Sequence, residues 1–470
     1  MDKRIEVDRK GLEPRSREIA VIRGCRQIGK TTYMKKLIRD LIFKDVDPRQ
    51  VLYLSVDRFI STRRELRRAV DYFLSINLDV KPVYIVLDEI TSLGDWGLEL
   101  KYLADSGVTQ KARVIVTGSS SEALRRESEK LPGRGLEGNE YNMRPLSFRR
   151  FIENTVSSFK GITENSELRH SLRLLEESDP PLLTLEASLE GILEGVAKLL
   201  PFKDELDFLL VHYLRCGGFP FAIDEYIKNY RKKSQDYFLP ETVETFIRAV
   251  LSEVGKHGKS ETTAKQLIRE VIERYGSKYS FRNLARGLEV SDKTTGDYLD
   301  FLEKSYILSV MYAYSFERKS VKYRGSKKVY FQDPFLYYSM RQFLTGLNVN
   351  EIVSDSLQDE MTLGELVESV VSSHIIMNLE TPYLQEKDTF SWFYYDTSGR
   401  EIDNVVRVDQ DFLGIEVKYR NNVSAGDVNK RPEISNYIIV SKEDYSTSKD
   451  VAVIPASIFL AMLDVSDHNL

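Results

Sequence analysis

Cysteine is nearly missing from this sequence: Cys25 and Cys216 are the only two in 470 residues and lie far apart. That excludes a disulfide framework and a cysteine-built zinc cluster, and fits a reducing cytoplasm. The five histidines are scattered singly, which leaves a His-built metal site without support. No stretch approaches the roughly 18 apolar residues of a membrane helix, and the opening MDKRIEVDRKGLEPRSREIA has no apolar core of signal-peptide length. A large excess of one charge is also missing. The formal net charge of -5 gives no global sign of a nucleic-acid binder, so any basic surface must be local. The expected setting is soluble and cytoplasmic, with no membrane partner. What is present is ordinary for a globular protein, 42% hydrophobic and 30% charged residues, over a length that calls for three or four domains.

The chemistry begins at Gly24-Cys25-Arg26-Gln27-Ile28-Gly29-Lys30-Thr31, which fits the G-x-x-x-x-G-K-[ST] phosphate loop at every position. Residues 19 to 23 supply the strand before it and a patterned helix follows, the context the motif requires. Glycines let backbone N–H groups turn toward phosphate oxygens, Lys30 adds a charge at the β- and γ-phosphates, and the Thr31 hydroxyl is placed to ligate Mg²⁺, with Thr32 beside it. Cys25 and Arg26 read as spacers. A second apolar run, VYIVLDEI at 83 to 90, delivers Asp88 and Glu89 to the C-terminal edge of a buried parallel strand. Asp88 would hold Mg²⁺ through water, and Glu89 would polarise an attacking water. Further strands are expected at VLYLSVD (51 to 57) and ARVIVTGSSS (112 to 121), and an extra strand is expected between the loop strand and the acid strand. The polar end of the last run offers Thr117, Ser119 or Ser120 as a γ-phosphate sensor, or as a helix cap.

Together GCRQIGKTT, VLDEI with DWGLELKYLAD behind it, VTGSSS, LPGR and RPLSFRRFIE resemble the AAA-superfamily ATPases of prokaryotes often termed archaeal-type ATPases. Those are similar in turn to the STAND-type signalling NTPases. The resemblance implies an active-site arginine at Arg134, either an arginine finger or a surface residue of its loop; acting in trans, it would require an oligomer. It also implies that Gly217-Gly218-Phe219-Pro220 forms a turn in a helical lid over the nucleotide.

From about 155 to 256 the pattern is helical and acidic, with apolar residues at three and four spacing that belong to a core. The arginines of DRFISTRRELRRAVDYFL (57 to 74), interspersed with Leu66, Val70 and Leu74, read as a solvated helix face. After 258 the order helix, short helix, turn, helix and hairpin is that of a winged helix, with Leu284, Ala285, Leu288, Val290, Tyr298, Leu299 and Leu302 as its core. Its helix over 292 to 304 carries Asp292, Asp297 and Asp300, the wrong sign for a groove reader. The hairpin ERKSVKYRGSKK gathers Arg318, Lys319, Lys322, Arg324, Lys327 and Lys328, either a nucleic-acid contact without sequence preference or a solvated basic hairpin.

The last part, from a helix over 363 to 379 through FSWFYYD, REIDNVVRVD and FLGIEVKYR to a final helix, resembles the restriction-endonuclease-like fold in an α-β-β-β-α-β order. Strand alternation turns Glu416 and Lys418 to one face, with Asp403 on the neighbouring strand and Glu368 on the helix. Two carboxylates there could hold Mg²⁺ or Mn²⁺ while Lys418 activates water on a phosphodiester. No glutamine follows Lys418 at the spacing common in active relatives of that fold, which places activity in question.

The expected architecture is α/β and multidomain: a P-loop ATPase core of the ASCE/AAA type over 1 to 155, a helical lid and connector over 156 to 256, a winged helix over 257 to 335, and a nuclease-like α/β domain over 336 to 470. The expected function is a Mg²⁺-dependent ATPase that couples ATP to the winged-helix and nuclease-like modules and acts on DNA through the basic wing and the C-terminal domain. The alternative is a STAND-like switch with protein partners and an inactive nuclease-like domain.

Overall fold

Five apolar runs build the first sheet: β1 (Ile19–Gly24), β2 (Val51–Ser55), β3 (Val83–Asp88), β4 (Ala112–Thr117) and β5 (Glu140–Met143). A computed structural model describes residues 7–470 except 10, 13, 14, 16, 79, 81, 119–138, 186–188, 235, 381–386, 409–410 and 467–468. The order is β2-β3-β4-β1-β5 with every neighbouring pair parallel. β1, β3 and β4 are buried along almost their whole length, as a parallel sheet covered on both faces demands. Alternation divides their side chains between two cores. Ile19, Val21, Ile85, Leu87, Val114 and Val116 meet Leu66, Val70 and Phe73 of helix Arg63–Ser75. Ala20, Ile22, Val86 and Ile115 join the core that holds Met34 and Leu37 of helix Lys30–Phe43. The strand between β1 and β3 is β4, while β2 takes the outer edge.

Six helices between Phe148 and Lys256 pack on the second of these faces. Three more, Glu261–Glu273, Phe281–Leu288 and Asp292–Lys304, bury Leu284, Ala285, Leu288, Leu299 and Leu302 at their junction. The antiparallel pair β6 (Leu308–Tyr312) and β9 (Lys327–Phe331) follows, with the short hairpin β7 (Tyr314–Ser315) and β8 (Ser320–Val321) between. This hairpin is not free. Tyr314 packs against Trp392 with ring centroids 4.6 Å apart and planes tilted by 36°, and both belong to a core shared with the C-terminal sheet. The basic hairpin read from the sequence therefore divides: Arg318, Lys319 and Arg324 are exposed and Lys322 is half-buried, whereas Lys327 and Lys328 are buried. Lys327 lies 4.0 Å from the Phe281 ring centre and donates to Tyr323 O and Gly325 O.

The C-terminal sheet has the order β10-β11-β12-β13-β15-β14, with β10 (Ser391–Tyr395), β11 (Glu401–Val408) and β12 (Asp411–Lys418) antiparallel, and β13 (Asn436–Ser441) and β15 (Val451–Pro455) parallel to β12. The two-residue β14 (Ser446–Thr447) closes its edge. Helix Glu360–Leu379 packs on this sheet. The expected helix between the third and fourth strands does not form; Ala425–Asp427 makes one 3₁₀ turn, and the helix Ala456–Met462 comes last. The segment NNVSAGDVNKRPEI has glycine and proline and no helical period, so no helix could bury a face there.

One apolar core runs from Ile22 through Tyr213 and Leu302 to Ile415 and Phe459, so the segments share their interior. Across it, the Phe148 N–H donates to His374 Nε2 at 2.7 Å, while His374 Nδ1 lies 2.7 Å from Val370 O. That geometry requires the proton on Nδ1 and a neutral ring. Among the described residues no single helix is long and apolar enough to cross a membrane.

Burial lowers the His374 pKa from 6.5 to about 4. On acidification the unfolded chain therefore takes up its proton first. The stabilisation is complete above pH 6.5 and is lost as pH falls toward 4, a contribution on the order of 3 kcal/mol. Melting of wild type and His374→Gln from pH 7 to pH 4.5 is expected to show the steeper acid loss in wild type. A gap between the two that stays constant with pH would contradict this account.

Candidate nucleotide site

β1 ends at Gly24 and helix Lys30–Phe43 begins after Gly29, which has φ 100° and ψ 19°; Gln27 between them has φ 60°. Such left-handed steps turn successive amides into one concavity suited to an anion, at the N-terminus of a helix. A Cβ on Gly24 would lie 2.2 Å from Met143 O, so the end of β5 excludes a side chain there. Lys30 is buried and its ammonium donates to Gly24 O at 2.8 Å and Cys25 O at 3.0 Å. Burial pushes its pKa down, opposed by the Glu89 charge. Cys25 is buried with its thiol pushed up to about 12, and so adds only backbone to the loop. The cleft over the loop, about 840 Å³, is lined by residues 26–33, by the cations Arg9, Lys35, Lys36 and Arg39, and by Glu89.

Asp88 is buried at the end of β3, its oxygens committed to Thr117 Oγ1 (2.5 Å) and Tyr53 OH (3.0 Å). Thr117 in turn accepts from the Glu89 N–H at 3.3 Å. Thr117, one of the three residues read from the sequence as candidate sensors, is thus fully buried and holds Asp88 and the Glu89 amide in place. Glu89 takes φ 58°, uncommon outside glycine, and is half-buried. It lines both the loop cleft and a second cleft of about 560 Å³ shared by Thr31 and Asp88. A hydroxyl and a carboxylate on one cleft are hard oxygen donors that fit Mg²⁺. Ser119, Ser120 and Arg134 lie outside the described residues.

Two features were not legible as chemistry. Arg26 donates to Glu253 Oε1 at 2.5 Å, tying the phosphate loop to helix Pro240–Lys256 just before the following three helices. Tyr53 reaches Asp88 only because β2 and β3 are neighbours. The Gly217-Gly218 turn is wedged between segments: the Leu146 N–H donates to Gly218 O at 2.8 Å and the Gly218 N–H to Asp333 Oδ2 at 2.6 Å. Gly217 has φ 65°, and a Cβ on it would meet Asp333 Oδ1 at 2.2 Å. Pro220 and Phe221 after the turn line the loop cleft. On helix Arg63–Ser75, Arg67 keeps a 41% exposed side chain while it forms a forked pair with buried Glu99 at 2.8 and 2.9 Å.

The C-terminal residues are brought together unevenly. Glu368 and Asp403 meet at the ammonium of Lys328, on β9, at 2.6 and 2.9 Å. Burial and the Asp403 charge push the Glu368 pKa up, whereas Asp403, against its burial, is held low by Lys328. Glu416 pairs with Lys418 at 3.0 Å and accepts from the Asn429 N–H at 3.0 Å. Among the described residues no three acidic, imidazole or thiol groups form a set that could hold a metal ion.

Residues 16–152 match the AAA domain family, residues 207–349 a domain of unknown function (DUF8612), and residues 363–459 another (DUF4143). Uncharacterized protein MJ1637 of Methanocaldococcus jannaschii is 30% identical over 383 residues, 80% of this chain and 70% of the relative. Among solved structures, the Aeropyrum pernix Orc1 protein in complex with DNA gives a TM-score of 0.31 at 12% identity, over 69% of this chain and 86% of that one. The replication initiator DnaA bound to AMPPCP and single-stranded DNA gives 0.25, over 62% and 83%.

The Arg26–Glu253 contact is testable by a double-mutant cycle in denaturant. The two alanine substitutions are expected to be coupled by about 1–3 kcal/mol, because Arg26 is the nearest cation to buried Glu253, with Lys256 and His257 at 3.7 and 3.9 Å. Additivity within about 0.5 kcal/mol would show that the pair does not join the loop to the helix.

Proposed function

Because the chain belongs to the family of the Methanocaldococcus jannaschii protein MJ1637 and carries an AAA domain, we propose that it is a Mg²⁺-dependent ATPase whose nucleotide state is passed to its C-terminal modules. The observation that carries the reading is the meeting of the phosphate loop with the Asp88–Glu89 pair at adjoining clefts. Incoming phosphate oxygens would draw the Lys30 ammonium from the carbonyls of Gly24 and Cys25, while the loop amides bind the β- and γ-phosphates. Thr31 and Asp88 would hold Mg²⁺, which supplies charge neutralisation at the phosphates. Glu89 orients the attacking water and takes its proton, and Thr117 and Tyr53 keep Asp88 in place. Ser119 and Arg134 are assigned, from the resemblance alone, a sensor and an arginine-finger role. One path leads outward from the loop, Arg26 to Glu253; a second starts at Pro220 and Phe221 in the cleft wall and runs by the Gly217-Gly218 turn to Asp333, two residues past β9.

DNA is the proposed partner of the exposed Arg318, Lys319 and Arg324, which suit phosphate contact without base reading. The rival reading, a switch with protein partners and an inactive nuclease-like domain, is favoured by Lys328 lying among the C-terminal acids. ATP turnover raised by DNA would decide for the first, and turnover indifferent to DNA for the second.

Glu89→Gln is expected to lower the rate of phosphate release by about 100-fold or more while ATP still binds. Lys30→Ala is expected to abolish binding in calorimetry. Unchanged turnover in Glu89→Gln would overturn the assignment of the base.

A further inference from the structure

The likeness of the C-terminal segment to metal-dependent nucleases implies a divalent cation at Glu368, Asp403 and Glu416, and the residues present do not fit one. Lys328 is 3% exposed and projects from β9 into this position, with Nζ 2.6 Å from Glu368 Oε1, 2.9 Å from Asp403 Oδ1, and paired with Glu401 Oε1 as well. Other acceptor oxygens of the cluster are engaged too. Tyr330 OH donates to the same Glu368 oxygen at 2.5 Å, and the Val417 N–H donates to Asp403 Oδ2 at 2.9 Å. Glu416 has one oxygen on the Asn429 N–H and the other on Lys418. A divalent ion would need several of these oxygens at once, at about 2.0–2.1 Å for Mg²⁺. An ammonium needs only the hydrogen-bond distances observed.

We infer that the ε-ammonium of Lys328 stands in the place of the divalent cation, making the acid cluster of the C-terminal sheet a docking socket for strand β9 instead of a metal-dependent cleavage centre. Three observations carry the inference besides the distances. Lys328 and Tyr330, two apart on one strand, both reach Glu368, so strand alternation presents a matched pair to the socket. The adjoining hairpin is pinned to the same sheet by Tyr314 on Trp392 and by an isolated bridge of Ala313 with Phe393. One buried ammonium from a different segment is shared by Glu368, Asp403 and Glu401, and its removal alone would leave buried carboxylates exposed to their full desolvation cost. The inference does not depend on the nucleotide chemistry.

The test is Mn²⁺ titration of the full-length, nucleotide-free protein, followed by the electron-spin signal of free Mn²⁺. Wild type and Asp403→Asn are expected to give the same isotherm, because the cluster takes up no Mn²⁺. The charge-balanced variant Lys328→Met/Glu401→Gln is expected to gain a site roughly tenfold or more tighter than any in wild type, and adding Asp403→Asn should remove it. A Mn²⁺ site present in wild type and lost in Asp403→Asn overturns the inference, as does a charge-balanced variant that folds by circular dichroism and gains no site. If that variant fails to fold, the wild-type and Asp403→Asn titrations decide alone.

Discussion

A charge taken out of water must be answered at the spot where it sits, and in this protein that requirement holds the segments to one another. Because a single apolar core passes through the first sheet, the helices and the C-terminal sheet, the polar groups at their junctions are buried with it. Arg26 finds Glu253, Arg144 finds Glu380 at 2.9 Å, and Lys328 finds Glu368 and Asp403. Each pair joins residues more than 35 positions apart. Such pairs add little net stability over apolar replacements, but losing one partner typically costs about 3–5 kcal/mol. They specify which surfaces meet more than they strengthen the meeting.

The same requirement explains what could be read in advance. The phosphate loop was legible because its chemistry is local: Gly24, Gly29, Lys30 and Thr31 lie within eight residues, and backbone geometry does most of the binding. Asp88 and Glu89 were legible because a buried parallel strand must expose its acids at its end. Tyr53 and Glu253 were not, since their roles arise from strand order and from a helix two hundred residues on. Arg26 was passed over as a spacer because sequence shows a loop position but not what lies across from it.

The basic hairpin shows the opposite failure. Six cations within twelve residues suggest a solvent-facing patch, yet the alternation of β9 and the approach of the C-terminal sheet withdraw two of them from water. The set Glu368, Asp403, Glu416 and Lys418 read from the sequence is brought together unevenly for a related reason. Glu416 and Lys418 do share a side, as alternation requires, and they satisfy each other. The partner that decides the cluster, Lys328, comes from a strand that no spacing rule connects to it.

Strand β9 has a further property in its parity. Lys327 and Lys328 are neighbours turned to opposite sides, one toward the Phe281 ring and one toward the acids, and five residues after Lys328 the same chain reaches Asp333 and the glycine turn of the helical region. A single residue inserted or deleted between Lys328 and Asp333 would exchange those sides while leaving composition almost untouched. The segment behaves as a ruler with a fixed count, so that length, more than the identity of its intervening residues, keeps the two ends of the molecule in step.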